Sequence, residues 1–389
     1  MFNREFIRRL IIFFLLLFSG ISFAEVQHVK AAIQMSSLFS DGDRSISEIV
    51  ETAKKNDIKV VIFADRDFMN WEYGIWPFRG LIKRRVESNS IAQHGFDKYF
   101  AAIEEEQKKN PEMVLIPAVE TAPYYYWSGG PFNKTLKIHD WHKHLLVLGL
   151  NQEELRKLPV VANDGISRKY NQYMGKIGPA PYQNVIDYVN SKNGLIYWLH
   201  PDAEYIQERG DVKIETKQYP EDLLKTKNYT GFSIFYDGYI NAGKPGGVWD
   251  QVLMNNKIWA IGALGYDQGD LDFRMKDLKT ILILDQHSKE SVVKALKKGK
   301  LYVVLGKRDV KIEKYSIDKK GRVAFSAMIS GEKPERIKVR LIKNGKVIKV
   351  FKQPEFVYTD KDIQAKDYYR IDMEFKGGRI ISNPIFVNR

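Results

Sequence analysis

Residues that can bind a metal ion or exchange a proton stand at the ends of apolar segments in this chain. Glu120 closes the apolar segment MVLIPAVE, and His200 follows GLIYWL and precedes Pro201. His144 stands directly before the apolar residues 145–150. Carboxylates and imidazoles are ligands for divalent transition metals, and imidazoles also transfer protons near neutral pH. The chain contains no cysteine, so any metal must be held by histidine, aspartate, glutamate or amide oxygens.

Three of the seven histidines, His139, His142 and His144, fall within six residues. We expect His139 and His142 to face solvent, because they lie on a polar segment. His144 adjoins the apolar stretch and is the better candidate for a metal ligand. Taken alone, His200 could equally be a hydrogen-bonded structural residue.

The elements that position such residues alternate between apolar strands and amphipathic helices. The first unit has a strand at residues 29–37, a polar turn at 40–42, a helix at 46–55 and a strand at 59–64. This order predicts a βαβ unit, whose parallel strands end on the same rim. Parallel α/β sheets bind ligands at that rim. The first site candidates are therefore Gln34, Ser36, Asp41, Asp65, Arg66 and Asp67.

The alternation continues along the chain and then stops. It comprises a helix at 96–109, strands before Glu120 and at 145–150, a helix at 182–192, strands ending at His200 and Asp237, a helix at 247–256, a strand before Asp267 and a helix at 288–298. From about Val310, short alternating segments separated by turns such as Asn344-Gly345 indicate an all-β module. We predict an α/β domain at residues 25–306 and a β-sandwich domain at 310–389.

The segment at residues 68–95 is rich in aromatic residues and shows no strand alternation, which predicts a packed loop over the rim. Trp71 and Tyr73 are candidates for lining a substrate pocket. Aromatic clusters of this kind more often form the core of a loop, so the two alternatives stay open.

The balance of charge bears on the partners. Lys and Arg outnumber Asp and Glu by 61 to 48, a net charge of +13, and they are spread along the whole sequence. This spread favours a solvated basic surface over a nucleic-acid groove, which needs basic and aromatic residues interleaved on one face. A positive field also favours small anionic substrates.

The first residues predict a secretory signal peptide. Basic residues precede an apolar run at 10–18, and small residues stand at Ser22 and Ala24. We predict cleavage after Ala24 and a secreted or periplasmic protein with no transmembrane segment after processing. In the alternative, an uncleaved membrane anchor, the apolar run is shorter than the roughly 20 residues that a spanning helix needs.

Six short segments in a fixed order resemble the PHP superfamily (polymerase and histidinol phosphatase), which are metal-dependent phosphoesterases. The segments are QMSSLFSDG, FADRD, IPAVE, HLLVLGL, WLHPD and ALGYDQG, and the resemblance covers residues 29–306. Glu120 matches the family's bridging glutamate. His144 and His200 match a His-x-Leu strand start and a His-Pro strand end.

The chain also departs from the family pattern. The family's His-x-His motif reads Gln34-Met35-Ser36 here, and Arg66 stands where a ligand histidine is expected. The last motif keeps Asp267 and lacks its histidine. Since a guanidinium stays charged, a metal ion beside Arg66 would be repelled.

The resemblance implies a distorted (β/α)7 TIM-like barrel that holds up to three ions, usually Zn, Mn or Fe, for phosphate ester hydrolysis. The run at residues 382–385 is similar to the C-terminal β-sandwich of secreted members, which we expect to be Ig-like. The residues present permit one ion or none. Its ligands would be Glu120, His144 and His200, with Asp267 as an incomplete fourth.

Two hypotheses follow for function. In the first, the protein is a single-metal hydrolase of small phosphate or carboxylate esters. Arg66 then stabilises an anionic oxygen, and Asp267 or Asp65 accepts a proton or orients water. In the second, the barrel is inactive and binds a ligand or partner, because Arg66 neutralises the acids internally. A third and weaker hypothesis is an extracellular nucleic-acid binder or nuclease.

Overall fold

The computed structural model describes residues 26–163, 169–235, 241–331 and 336–387. The predicted signal peptide at residues 1–24 lies outside the described residues, and so does Asp237. In the described part of the chain, no helix combines the length and apolarity that crossing a lipid bilayer requires.

Strands and helices alternate for most of the chain up to residue 305. The strands are β1 (Gln27–Met35), β2 (Val60–Arg66), β3 (Asn70–Gly74), β4 (Lys83–Glu87), β5 (Val114–Thr121), β6 (Tyr126–Ser128), β7 (Lys137–His139), β8 (Leu145–Leu148), β9 (Leu195–Trp198), β10 (Tyr205–Arg209), β11 (Val212–Thr216), β12 (Gly231–Phe235), β13 (Trp259–Gly262), β14 (Leu278–Leu284) and β15 (Leu301–Leu305). The helices are α1 (Ile46–Lys55), α2 (Ile91–His94), α3 (Phe96–Lys109), α4 (Gln152–Leu155), α5 (Ala180–Ser191), α6 (Asp222–Lys225), α7 (Val248–Leu253), α8 (Leu271–Asp277) and α9 (Lys289–Lys298).

Local sequence sets the ends of these helices. Helix α1 begins after Ser45, whose side chain accepts a hydrogen bond from the Glu48 amide while the Glu48 carboxylate bonds back to Ser45. This reciprocal pair satisfies amide groups that the first helical turn leaves free. The inward face of α1 buries Ile46, Ile49 and Val50.

A continuous path of strands, β1, β2, β5, β8, β9, β12 and β13, forms the centre of the protein. The order along the sheet is β13-β12-β9-β8-β5-β2-β1. Neighbours are parallel except at β8, which is antiparallel to both β5 and β9. Apolar side chains are buried on both faces of these strands, which explains why the sequences read as unbroken apolar runs.

The two ends of this path meet beside β1. The Leu264 amide donates to the Ile33 carbonyl at 2.8 Å, and the Ser36 amide donates to the Tyr266 carbonyl at 2.9 Å. Met35 and Tyr266 form a parallel bridge. The chain that leaves β13 therefore lies next to the end of β1, and both reach the same rim.

The predicted loop at residues 68–95 contains more regular structure than expected. Strands β3 and β4 form an antiparallel hairpin there, and β10-β11-β7-β6 form a separate four-stranded sheet. The prediction of a loop missed this hairpin because Lys83-Arg84-Arg85 does not alternate between polar and apolar residues.

The C-terminal strands are β16 (Val310–Ile317), β17 (Arg322–Ile329), β18 (Lys338–Lys343), β19 (Lys346–Phe351), β20 (Glu355–Thr359), β21 (Tyr368–Phe375), β22 (Gly378–Ser382) and β23 (Ile385–Phe386). Strand β22 pairs with β15, and β14 pairs with β1, so one 14-stranded sheet runs from the centre into this region. Strands β16, β17 and β20 form a second sheet.

Side chains also join the C-terminal strands to the centre. The buried Arg370 forms two hydrogen bonds to Asp250, at 2.8 and 2.6 Å. The Asn383 side chain accepts from the Ala260 amide at 2.8 Å and donates to its carbonyl at 3.0 Å. The predicted α/β class with additional β-sheets is confirmed. The closed barrel, the Ig-like type and the boundary near residues 306–310 stay predictions.

Candidate metal centre

Glu120, His144 and His200 lie together at the rim of the central strands. Each offers one ligand atom, and the three atoms lie within 4.8 Å of one another. The exposed fractions of these residues are only 4%, 3% and 2%. One carboxylate and two imidazoles form a donor set that suits Zn, Mn or Fe and leaves a coordination position for water.

The antiparallel direction of β8 brings these residues together. Glu120 is near the end of β5, and His200 follows β9, whereas His144 precedes β8. Thr121 is paired with Leu145, and Leu145 is paired with Trp198. Because β8 runs against both neighbours, its beginning lies beside their ends.

Two residues at this rim have left-handed backbone conformations that residues other than glycine rarely adopt. His200 has φ of 30°, and Gln34 has φ of 66°. Gln34 lies at an irregularity in the β1–β2 pairing, between Ile33 and Met35. A bulge of this kind re-aims a side chain, and here it directs the Gln34 amide toward Glu120.

Protein groups contact both oxygens of the Glu120 carboxylate. Oε1 contacts His144 Nδ1 and lies 3.5 Å from Arg66 Nε. Oε2 accepts a 2.7 Å hydrogen bond from Gln34 Nε2. Burial alone would raise the pKa of Glu120, but the charges on His144 and Arg66 and the hydrogen bond from His144 hold it well below its usual value. Glu120 is therefore ionised.

The imidazole of His200 is neutral. Burial, followed by the nearby charge on His144, lowers the pKa of His200 to about 3. The Tyr219 hydroxyl lies 3.3 Å from His200 Nδ1 and donates to the Leu199 carbonyl at 2.6 Å. A neutral imidazole is the form that binds a metal ion, so His200 needs to release no proton.

Arg66 is an arginine in direct contact with the cluster, through Glu120. It is paired with Glu120 across the β2–β5 ladder, and its Nη1 lies 2.6 Å from Asp41 Oδ2. Adjacent residues of a strand point to opposite faces, so Asp65 points away from Arg66.

Asp65 is a fully buried support for a loop. Its carboxylate accepts hydrogen bonds from the Ser37 amide at 2.7 Å, the Ser37 hydroxyl at 2.9 Å and the Ser40 hydroxyl at 2.7 Å. Burial raises the pKa of Asp65 to about 6, against the lowering effect of these bonds. These contacts hold the loop that carries Asp41, and Ser36 is buried at its start.

Asp267 is partly buried beside the cluster, but it is not one of the three converging residues. Burial and then the charge of Glu120 raise its pKa to about 6, while Arg66 acts in the opposite direction. A carboxyl group of this pKa can accept a proton near neutral pH.

Trp71 and Tyr73 are not part of the cluster. The Trp71 and Trp127 rings lie 5.4 Å apart, and those of Tyr73 and Trp127 lie 5.0 Å apart. Both residues line a cavity of about 360 Å³, whose lining includes none of Glu120, His144 and His200. In this structure they are packing residues of the β3–β4 hairpin.

His142 does not face solvent, contrary to expectation, but is half-buried beside the cluster. Its ring stacks on Tyr205 at 4.7 Å and lies 5.6 Å from the ring of His144. Burial lowers its pKa to about 2, so it is neutral. The spacing His-x-His was the available signal, since residues two apart in an extended chain lie on the same side. His139 instead stacks on Tyr126 at 4.6 Å.

The donor set and its surroundings fit one divalent ion. The three ligand residues are buried, one is ionised, and His200 is neutral. Gln34 Oε1 is buried, and in the described part of the chain it has no hydrogen-bond partner, so an oxygen acceptor beside Glu120 is unused. Arg66 occupies the side next to Asp41, where a second ion would be repelled.

No protein-family model and no curated protein matches this chain. A two-domain protein from Bacteroides vulgatus, said to contain a predicted PHP-like metal-dependent phosphoesterase, is 13% identical, with a TM-score of 0.43 and coverage of 94% of this chain and 96% of that one. A protein from Bifidobacterium adolescentis, named as a metal-dependent phosphoesterase, is 13% identical, with a TM-score of 0.33 and coverage of 63% and 90%.

An amidohydrolase from Chromobacterium violaceum, with bound sulfate and no metal, is 10% identical, with a TM-score of 0.33 and coverage of 62% and 89%. Two of these three solved structures carry phosphoesterase names.

Proposed function

We propose that this protein is a hydrolase of the metal-dependent phosphoesterase type that uses a single divalent ion. Glu120, His144 and His200 would hold the ion, which we propose to be Zn, Mn or Fe. The observation that carries the proposal is the convergence of these three buried donors within 4.8 Å. The parallel bridge between Met35 and Tyr266 joins the chain that leaves β13 to the end of β1. This contact supports a distorted (β/α)7 barrel around the three donors.

The chemistry follows from the groups around the cluster. When bound, a divalent ion lowers the pKa of a water ligand from about 15.7 toward 7. Arg66 is placed to bind an anionic oxygen of a phosphate or carboxylate ester, and it stabilises the charge that develops there. Asp267 is the proton acceptor, because its raised pKa of about 6 matches that role. Asp65 is a positioning residue that acts through the loop carrying Asp41.

One observation favours a second candidate function, an inactive barrel that binds a ligand without converting it. Arg66 and His144 already contact one oxygen of the Glu120 carboxylate, and Gln34 donates a hydrogen bond to the other. A carboxylate with three protein partners is stable without a metal ion. The two candidates differ in one measurable property, which is metal content.

The deciding experiment is elemental analysis of protein purified without chelators, followed by calorimetry with Zn and Mn. The hydrolase proposal expects one ion per chain, lost in Glu120→Gln and retained in the exposed control Glu208→Gln. A screen of generic phosphate and carboxylate esters then tests turnover. An absence of metal binding in the wild type, together with its appearance in a folded Arg66→His variant, would instead establish the inactive barrel.

We also propose that the chain is processed after Ala24 and acts outside the cytoplasm. The charged start, apolar run and small residues support this. Mass spectrometry of the protein recovered from its producing cell tests it, since processing leaves a chain that begins at Glu25. An intact N-terminus would favour the membrane-anchor alternative.

A further inference from the structure

A patch of large apolar side chains projects from the tip of the β3–β4 hairpin. We call residues 75–82 the hairpin tip. The exposed fractions are 75% for Trp76, 55% for Phe78, 85% for Leu81 and 52% for Ile82. Isolated exposed apolar residues are common, but four within seven positions form a patch that marks an interaction site.

The backbone of the hairpin tip is ordered. The Leu81 and Ile82 amides both donate to the Phe78 carbonyl, at 2.9 and 2.8 Å, and the Ile75 amide donates to the Ile82 carbonyl at 2.9 Å. A Cβ atom at Gly74 would lie 2.5 Å from the Arg79 carbonyl oxygen, so only glycine permits this close return of the chain. The apolar side chains are thus held outward by a hydrogen-bonded turn.

A second loop extends the patch. Phe132 is 86% exposed, and its neighbour Pro131 lines the same cavity as Ile75 and Ile82. The guanidinium of Arg79 lies 3.9 Å above the centre of the Tyr173 ring, which fixes the hairpin tip against the body of the protein. The patch therefore consists of two neighbouring projections, the hairpin tip and the loop that carries Phe132.

Basic residues adjoin the apolar ones. Lys83, Arg84 and Arg85 follow the tip directly, and all three are exposed. Lys83 is paired with Glu72 at 2.8 Å and Arg85 with Glu87 at 2.7 Å. Arg84 has no ion-pair partner among the residues that the structure describes. The region therefore offers an unneutralised cation within a few residues of Leu81 and Ile82.

We propose that the hairpin tip and Phe132 dock the protein on an anionic lipid bilayer. Tryptophan and other large apolar side chains beside lysine and arginine match the two layers of a bilayer surface, which are the acyl boundary and the anionic head groups. Ile82 lines the cavity beside Pro131, whereas the more exposed side chains of Trp76, Leu81 and Phe132 project from the surface. Insertion into a fluid phase suits these projecting side chains better than a folded protein partner. The net charge of +13 on the full chain becomes +11 without residues 1–24, which contain three Arg and one Glu, and it adds long-range attraction to such a surface.

The test is co-sedimentation of the chain from Glu25 onward, which contains every described element, with vesicles of equal parts phosphatidylcholine and phosphatidylglycerol. We expect binding that weakens in high salt and on pure phosphatidylcholine. Trp76→Ser with Leu81→Ser should weaken binding by at least about 10-fold. Arg84→Glu changes the charge by two units, which corresponds to a weakening of roughly 25-fold at about 5-fold per charge.

Matched controls separate this surface from general effects. Val357→Ser, which alters an apolar residue that is 56% exposed, and Lys352→Glu, on an exposed lysine, should leave binding within about twofold of the wild type. Trp76 is the most exposed tryptophan of the described chain, so its fluorescence should become protected from aqueous quenchers on vesicles. Unchanged binding by the Trp76/Leu81 variant, or no binding by the wild type, would overturn the proposal. The result is independent of the metal site, because Glu120→Gln should bind vesicles normally.

Discussion

The Arg66 guanidinium lies 3.5 Å from the Glu120 carboxylate, which also contacts His144. Arg66 therefore supplies a permanent positive charge beside the carboxylate that the proposed ion needs as a ligand. The same side chain reaches Asp41 at 2.6 Å, so it joins two acids on neighbouring parts of the rim. This arrangement fixes the ionised state of Glu120 and limits the space for cations to one side of it.

Replacing Arg66 should make the fold depend on a metal ion. Arg66→Met leaves a buried carboxylate with one fewer cation, and we expect a loss of about 3–5 kcal/mol in the free energy of unfolding without metal. Added Zn or Mn should recover more stability in the variant than in the wild type. Chemical denaturation with and without the ion measures both. An equal gain of stability from the ion in the variant and the wild type would contradict the contact between Arg66 and Glu120.

The hydrogen bond from Gln34 to Glu120 should be measurable by itself. Gln34→Leu removes a buried donor to a charged acceptor at 2.7 Å, and we expect a loss of about 1.5–3 kcal/mol in the free energy of unfolding. Gln207→Leu on the exposed strand β10 is the control and should change stability by less than about 0.5 kcal/mol. A null effect at Gln34 would mean that the amide does not bond to Glu120.

Asp67 should make the metal-free protein less stable as pH rises. Burial raises its pKa to about 7 from the usual 3.8, despite a 2.7 Å hydrogen bond from the Phe68 amide. The folded carboxyl group then keeps a proton that the unfolded chain releases, so the free energy of unfolding falls between about pH 4 and 7. The fall is on the order of 4 kcal/mol, because the pKa differs by about 3 units at about 1.4 kcal/mol per unit.

Urea denaturation across this pH range with a chelator present tests the role of Asp67. Asp67→Asn cannot titrate and should flatten the pH dependence, whereas Asp211→Asn at an exposed position should keep it. Asp65, with a pKa of about 6, contributes in the same direction and should leave a smaller residual slope. Stability that rises from acid to neutral pH in the wild type would contradict the assignment.

Substitutions at Asp267 and at Asp65 should have different effects, the first on activity and the second on stability. Asp267→Asn removes the proposed proton acceptor and should lower kcat by about 10²–10⁴-fold with little change in Tm. Asp65→Asn disturbs the bonds to Ser37 and Ser40 and should lower Tm first. Rate measurements against pH should show wild-type activity falling below about pH 6, as Asp267 becomes protonated. If Asp267→Asn reacts at the wild-type rate, another group must accept the proton.

Removing one member of the buried pair Asp250 and Arg370 should lower the free energy of unfolding strongly, whereas replacing both with apolar residues should lower it much less. Asp250→Ala leaves a fully buried guanidinium, and we expect a loss of about 3–5 kcal/mol. Asp250→Leu combined with Arg370→Met removes both charges and should cost clearly less than either change alone. The double-mutant cycle provides the coupling energy. Additive effects would show that the two residues act independently.

The sequence predicted the helices and strand ends well, because both have local causes. The helices at 46–55 and 96–109 have the predicted bounds, since amphipathic spacing and neighbouring polar residues set them. The grouping of Glu120, His144 and His200 came from the resemblance of three short segments to PHP motifs, since the rule that polar residues follow apolar strands covers Glu120 and His200 but not His144, which precedes β8. Such features can be predicted because a few consecutive residues determine each of them.

The remaining features depend on contacts between distant residues. An apolar strand reads the same in either direction, so the antiparallel course of β8 was not visible. The bond from Gln34 to Glu120 depends on a backbone bulge, and the packing of Trp71 on Trp127 depends on two separate hairpins. The polar neighbours of His142 predict a solvent-exposed side chain. Its ring is instead covered by Tyr205, which comes from another part of the chain.

The pairing of β15 with β22 ties the region after residue 306, about the last fifth of the chain, to the central sheet. Truncation after residue 306 would expose the backbone donors and acceptors of β15 along a bare sheet edge, together with the apolar side chains of Tyr302 and Val304. Such an edge is a template for aggregation. A shortened chain intended to isolate the rim should therefore be insoluble, and studies of catalysis need the whole protein.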